Sequence, residues 1–111
     1  MPNSYIRLQG LQSASSSAAQ SVENAIEVGA FDRVMVQVQR AAAASKGSFL
    51  VLQTAATKDA SRFVDLSPAI DLGDTGEVVE AFDRVMRYLR WRVSIAGGTA
   101  QFIVDVVGQE L

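Results

Sequence analysis

The sequence predicts an all-β fold, an antiparallel β-sandwich or jelly roll of seven to eight short strands, with at most a short helical turn near 78–86. Three observations carry that prediction. Apolar residues alternate with polar ones over short runs, and glycine, proline and small polar residues interrupt those runs at close intervals. The third is a repeat: Ala30-Phe31-Asp32-Arg33-Val34-Met35 returns as Ala81-Phe82-Asp83-Arg84-Val85-Met86. The residues beyond each copy also correspond, with Lys46-Gly47 matching Gly97-Gly98 at the same offset and the apolar run 49–52 answering 102–104, so the repeated unit reads as strand, turn, strand.

Residues 5–8 alternate weakly, with Tyr5, Arg7 and Gln9 facing one way and Ile6 and Leu8 the other, which fits a short strand or an arm. Ser13-Ala14-Ser15-Ser16-Ser17-Ala18-Ala19 is small and polar with nothing to bury and suits a flexible connection. The expected organisation is an N-terminal arm or linker over 1–19 and a single β-sandwich domain over 20–111. Over 20–28 strand and helix periods compete, and the β-branched Val22, Ile26 and Val28 favour strand up to Gly29. The first repeat copy has the clearest period of two: Val34, Val36 and Val38 share one face, against Arg33, Met35, Gln37 and Gln39. After the small residues 41–47, Phe49-Leu50-Val51-Leu52-Gln53-Thr54 returns as a buried strand, and the two are expected to form a hairpin.

A polar turn at 57–61 leads to a short strand around Phe63 and Leu66 that stops at Ser67-Pro68, and 71–77 is the longest loop signal. In the second copy, Val78, Val79, Phe82, Val85, Met86, Leu89 and Val93 lie at helical spacing, whereas Leu89, Trp91, Val93 and Ile95 alternate with Tyr88, Arg90, Arg92 and Ser94. The expectation is a turn or single helical coil over 80–86, a strand to Ile95, a reversal at Gly97-Gly98 and a last strand over 101–107. The expected core is Val34, Val36, Val38, Leu50, Leu52, Val85, Leu89, Trp91, Val93, Ile95, Phe102 and Val104.

A length of 111 residues suits one domain, and 49% hydrophobic residues can form its core without staples. The chain has no cysteine and no histidine, which removes disulfides, thiolate chemistry, the commonest general base and the usual transition-metal ligands. No enzyme and no cofactor are expected. A net charge of −2 gives no global reason to bind nucleic acid or an anionic membrane. The opening residues lack a basic segment followed by an apolar one, and no stretch reaches the ~18 apolar residues of a membrane span. The expected setting is a cytoplasm, or a particle assembled there.

Asp71, Asp74 and Glu77 stand three apart in a glycine-bearing loop, and hard cations such as calcium take oxygen ligands from flexible loops. Their spacing does not match the EF-hand, and aspartate with glycine is also ordinary turn composition. The densest cationic run is Arg84, Arg87, Tyr88, Arg90, Trp91, Arg92. On a strand, Arg84, Tyr88, Arg90 and Arg92 would share the outward face while Trp91 enters the core. These four, with Tyr5 and Arg7 of the N-terminal segment, are the candidate partner contacts; the plainer alternative is a solvated face whose arginines pair with neighbouring carboxylates.

The order of the alternating central strand, the small-residue loop, Phe49-Leu50-Val51-Leu52-Gln53-Thr54-Ala55, Lys58-Asp59, Phe63-Val64-Asp65-Leu66, Arg87-Tyr88-Leu89-Arg90-Trp91 and Gly97-Gly98 resembles small capsid cement (decoration) proteins of tailed bacteriophages. The likeness covers roughly 22–107 and rests on order and character rather than a fixed motif. It implies a jelly roll that binds the outer surface of a capsid assembled in the host cytoplasm and clamps neighbouring copies of the major capsid protein. It also implies a dimer or trimer, without catalysis, nucleic-acid binding or membrane association. A second likeness is to discoidin-type carbohydrate-binding sandwiches, which place a strand, a Lys-Asp turn and an aromatic-rich strand in similar order; those are usually secreted and longer.

Overall fold

Alternation along a strand sends successive side chains to opposite faces, so Val34, Val36 and Val38, and in the last strand Phe102, Val104 and Val106, must enter one core together. In the computed structural model, which describes residues 3–83 and 85–110, all six are buried. Among the described residues the strands are β1 (Asn3–Ala14), β2 (Ala18–Ala19), β3 (Ile26–Glu27), β4 (Arg33–Ala42), β5 (Phe49–Ala55), β6 (Val64–Asp65), β7 (Ile70–Asp71), β8 (Gly76–Phe82), β9 (Tyr88–Ser94) and β10 (Ala100–Gln109). Single 3-10 turns occupy Val22–Asn24 and Ala60–Arg62.

Two antiparallel sheets result. The first runs β1-β10-β4-β8; the second has β9 and β5 at its centre, with β2 and β3 sharing the free side of β9 and β6 and β7 sharing that of β5. Taking β2 with β3, and β6 with β7, as interrupted strands leaves eight positions. The first then pairs with the last, the second with the seventh, the third with the sixth and the fourth with the fifth. That is a jelly roll, a long antiparallel hairpin rolled up so that its halves face one another. The interruptions have local causes. Pro68 cannot donate to a ladder, and the neighbouring Ser67 Oγ accepts from the Leu52 amide at 2.9 Å instead. On the other edge, Ser21 starts the 3-10 turn by accepting from the Glu23 amide.

At the centre of the sandwich Trp91 of β9 meets Phe102 of β10 edge to face, with centroids 5.1 Å apart and planes at 82°. Most of the expected core is buried; Val85 and Ile95 instead pack half-buried at its margin. Leu8, Val28, Ile70, Leu72 and Val106 complete it. Gly108 takes Phe31 of the first repeat copy so closely that a Cβ there would overlap the ring.

Four expectations need correction. The segment expected as an arm or linker over 1–19 is, in its described residues 3–19, neither: it holds β1, paired with β10 from Asn3 to Ala14, and β2. The expected β4–β5 hairpin is absent, because the loop between them crosses from one sheet to the other, as does the Gly97-Gly98 connection between β9 and β10. Over 76–82 the chain is strand rather than helical coil, since in-register pairing with β4 from Val34 opposite Phe82 to Arg40 opposite Gly76 satisfies its backbone; bends follow at Asp83 and at Arg87. Residues 20–28 give a 3-10 turn and the two-residue β3 instead of a continuous strand.

The repeat acquires a physical meaning. Its copies lie side by side in the first sheet, Met35 opposite Ala81 and Val34 opposite Phe82, and Arg33 Nε donates to Asp83 Oδ1 at 2.8 Å. One copy opens a central strand and the other closes an edge strand.

Candidate functional site

Two outer faces could meet a partner. On the second sheet, inward Leu89, Trp91 and Val93 leave Tyr88, Arg90 and Arg92 outward, as the alternation predicts. Arg84 lies outside the described residues. Arg90 is on the expected face but not on the surface, at 8% exposure, because the 56–63 connection folds over it. Its Nε donates to Gln53 Oε1 at 2.9 Å, Nη1 to the Gln20 carbonyl at 3.2 Å and Nη2 to the Ala60 carbonyl at 3.5 Å. The guanidinium also stacks 4.3 Å from the Phe63 centroid, and burial lowers its pKa. Arg90 is therefore a structural clamp, which strand alternation alone could not reveal because it says nothing of what covers a face.

Arg92 grips Asp65 with two bonds, Nε to Oδ1 at 3.0 Å and Nη2 to Oδ2 at 2.8 Å. Hydrogen bonds from Arg92, then from Gln53, hold the Asp65 carboxyl down at about 2. Tyr88 is half-buried between Lys58, 5.5 Å from its centroid, and Arg87, at 5.2 Å, while Arg87 pairs with Glu27 at 3.0 Å. The plainer reading of the cationic run, arginines paired with neighbouring carboxylates, holds for Arg87 and Arg92.

The outer face of the first sheet is built differently. Register places Tyr5, Val107, Met35 and Ala81 in one row across all four strands, and Arg7, Asp105, Gln37 and Val79 in the next. Tyr5, Met35, Gln37, Val79, Asp105 and Val107 line a shallow groove of about 220 Å³. Tyr5 is 61% exposed and Val79 63%, high values for apolar side chains, and they stand on the two edge strands with the groove between them. The polar groups are bonded to one another: the Tyr5 hydroxyl donates to Asp105 Oδ1 at 2.7 Å, and Arg7 Nε donates to the same oxygen at 2.9 Å. Burial draws the Asp105 carboxyl upward, but the bonds from Arg7 and Tyr5 and the Arg7 charge outweigh it and leave it below the usual carboxylate range. Gln37 Nε2 donates to Glu77 at 3.1 Å, and Arg33 with Asp83 closes one end of the face.

The sequence points to Tyr5 and Arg7, but its alternation and charge do not single out Met35, Val79, Asp105 or Val107. A signal is present: Val78-Val79, Val106-Val107 and Val34-Met35-Val36 are adjacent apolar residues, and in a strand one of two neighbours must face outward.

In the acidic loop Asp71 Oδ1 accepts from the Gly73 amide at 2.7 Å, Asp74 Oδ1 from the Thr75 amide at 2.8 Å, and Glu77 from Gln37, so the three carboxylates serve separate donors. Among the described residues no three acidic side chains stand together as metal ligands. Arg40 organises the loop, donating to the carbonyls of Asp71, Thr75 and Gly76.

No protein-family model matches the sequence, and no curated protein is similar enough to count as a relative. Solved structures share the fold. The chain is similar to the SPBc2 prophage-derived protein YomS, at 14% identity and a TM-score of 0.54, with 96% of this chain and 94% of that one covered. It is similar to a chain from Bacillus endospore appendages, described as a novel family of disulfide-linked pili, at 6% identity and a TM-score of 0.50, covering 100% and 93%. It also matches a chain of infectious bursal disease virus, Gx strain, at 10% identity and a TM-score of 0.50, covering 96% of this chain and 31% of the viral one. At such identities the likeness is one of fold: this chain belongs to the same all-β sandwich architecture.

Proposed function

We propose that the chain is a virion structural protein that binds the outer surface of a capsid and cements neighbouring copies of the major capsid protein, acting as a binding protein and not as an enzyme. The observation that carries this reading is the outer face of the first sheet: an apolar row of Tyr5, Val107 and Met35 beside Val79, whose charged neighbours are already bonded, Arg7 with Asp105 and Arg33 with Asp83 as ion pairs and Glu77 to Gln37. Such a face loses little on leaving water and is suited to being covered by protein. The jelly roll agrees with the resemblance to cement proteins, and contacts repeated over a lattice add up where one is weak.

The test uses purified protein and undecorated capsids. Co-sedimentation and a rise in capsid melting temperature are expected, and Val79→Lys with Met35→Lys should abolish both; no binding and no gain in capsid stability overturn the proposal. One observation favours a carbohydrate-binding module as a second reading, the exposed Tyr5 ring beside the groove. Glycan-array binding lost in Tyr5→Ala would favour it over the capsid.

A further inference from the structure

An exposed strand edge presents unpaired backbone donors and acceptors, and proteins blunt such edges with bulges, breaks or very short strands. Among the described residues, three edges of this sandwich are blunted in that way. β1 carries register shifts between Arg7 and Gln9 and between Gln9 and Gln12. The two edges of the second sheet are split into the two-residue strands β2 and β3, and β6 and β7. β8 differs: seven residues pair with β4 without a shift, and the opposite side of the strand has no partner in the sheet. Val79, at the middle of this edge, is 63% exposed and borders the apolar groove.

We infer that β8 is a self-association edge, pairing antiparallel with β8 of a second copy about a two-fold axis at Val79. The number of pairs and the charge pattern together select this register. With the axis at Val79 all seven residues find partners: Val79 meets Val79 of the second copy, Glu77 meets Ala81, Val78 meets Glu80 and Gly76 meets Phe82. No carboxylate stands directly opposite another. Moving the axis to Glu80 sets two Glu80 carboxylates face to face, and moving it to Val78 leaves fewer pairs. The chosen register joins the first sheets of both copies into one continuous sheet of eight strands and brings their apolar rows onto one surface. The edge is about 24 Å long, less contact than a standard interface provides, so the dimer forms reversibly and depends on concentration.

This inference rests on the sheet alone and not on capsid binding, so it is tested with purified protein and no capsid. The natural chain has no cysteine, which makes Val79→Cys a clean probe. Opposed Cα atoms in an antiparallel pair fall within disulfide range. Oxidised Val79→Cys is expected to run as a covalent dimer, whereas Val64→Cys, also exposed, on β6, stays monomeric. In sedimentation velocity over a concentration series, Ala81→Glu, which opposes Glu77 of the second copy, should weaken the dimer about tenfold, and Ala81→Lys should tighten it. Thermal unfolding of the dilute variants checks that each folds. Crosslinking at Val79 no faster than at Val64, or a natural chain that stays monomeric throughout the series, overturns the inference. Equal effects of the two Ala81 variants overturn the register.

Discussion

The two outer faces of this sandwich solve the same problem in opposite ways. The second sheet covers itself: Arg90 lies under the 56–63 connection against Phe63, Arg92 lies 5.6 Å from the Phe49 centroid while holding Asp65, and Tyr88 sits between two cations. The long arginine stems shield apolar surface and the charged heads are bound or solvated. The first sheet leaves Tyr5 and Val79 exposed, with Met35 and Val107 half-buried in the groove between them, and pairs its charges around them. A cluster of arginines thus marks the finished face, and a cluster of unremarkable valines marks the unfinished one. Contact surfaces are recognised by what remains uncovered rather than by where charge is densest.

Opening the covered face should have the largest effect. Arg90→Ala strands Gln53 and the carbonyls of Gln20 and Ala60 and uncovers Phe63. It is expected to cost about 2–3 kcal/mol in chemical denaturation and to raise binding of a hydrophobic dye. Arg90→Lys should recover only part of that, because an ammonium cannot reach three acceptors in one plane. Beneath the open face, Gly108→Ala drives a methyl into Phe31 and should cost about 1–3 kcal/mol, showing that the exposed sheet rests on a core as tight as the covered one.

A smaller effect belongs to the Arg92–Asp65 pair. The folded pKa of Asp65, about 2, lies below the roughly 3.9 of an unfolded aspartate, so the pair stabilises fully above about pH 4 and its contribution fades as pH falls toward 2. With Asp65 about half exposed, screening reduces this to about 1 kcal/mol or less. Asp65→Asn should remove it at neutral pH and flatten that part of the acid-unfolding curve. The smallest change in stability is expected on the open face: Val79→Ser should stay within about 0.5 kcal/mol of the natural chain in thermal unfolding while weakening both self-association and capsid binding. A large loss of stability in Val79→Ser would mean that the open face is part of the core and erase the contrast between the faces.

Much of the fold was legible in the residues. The alternation in 33–39, 88–95 and 101–107 placed three strands and most of their buried side chains, and the missing histidine and cysteine directed attention to binding. β1 was hard to see because its two register shifts break the period of two, so Ile6, Leu8, Leu11 and Ala14 keep no constant phase. β8 imitated a helix because it is apolar on both faces, Val78 and Phe82 toward the core and Val79 toward the groove, and apolar residues on both faces can also satisfy helical spacing. The repeat was legible as a repeat but not as a geometry, since one copy opens β4 and the other closes β8, and an ion pair, Arg33 with Asp83, joins the two copies.

By itself the sequence determined the all-β class, the inward faces of the central strands and the turns between them, because side-chain alternation and the backbone needs of glycine and proline are local properties. Only the tertiary structure decided which strands pair, that β4 and β5 lie in different sheets, that Arg90 is covered, and that Tyr5, Met35, Val79 and Val107 share one surface. Those outcomes depend on contacts between residues far apart in the chain, where alternation names a face but not its neighbour.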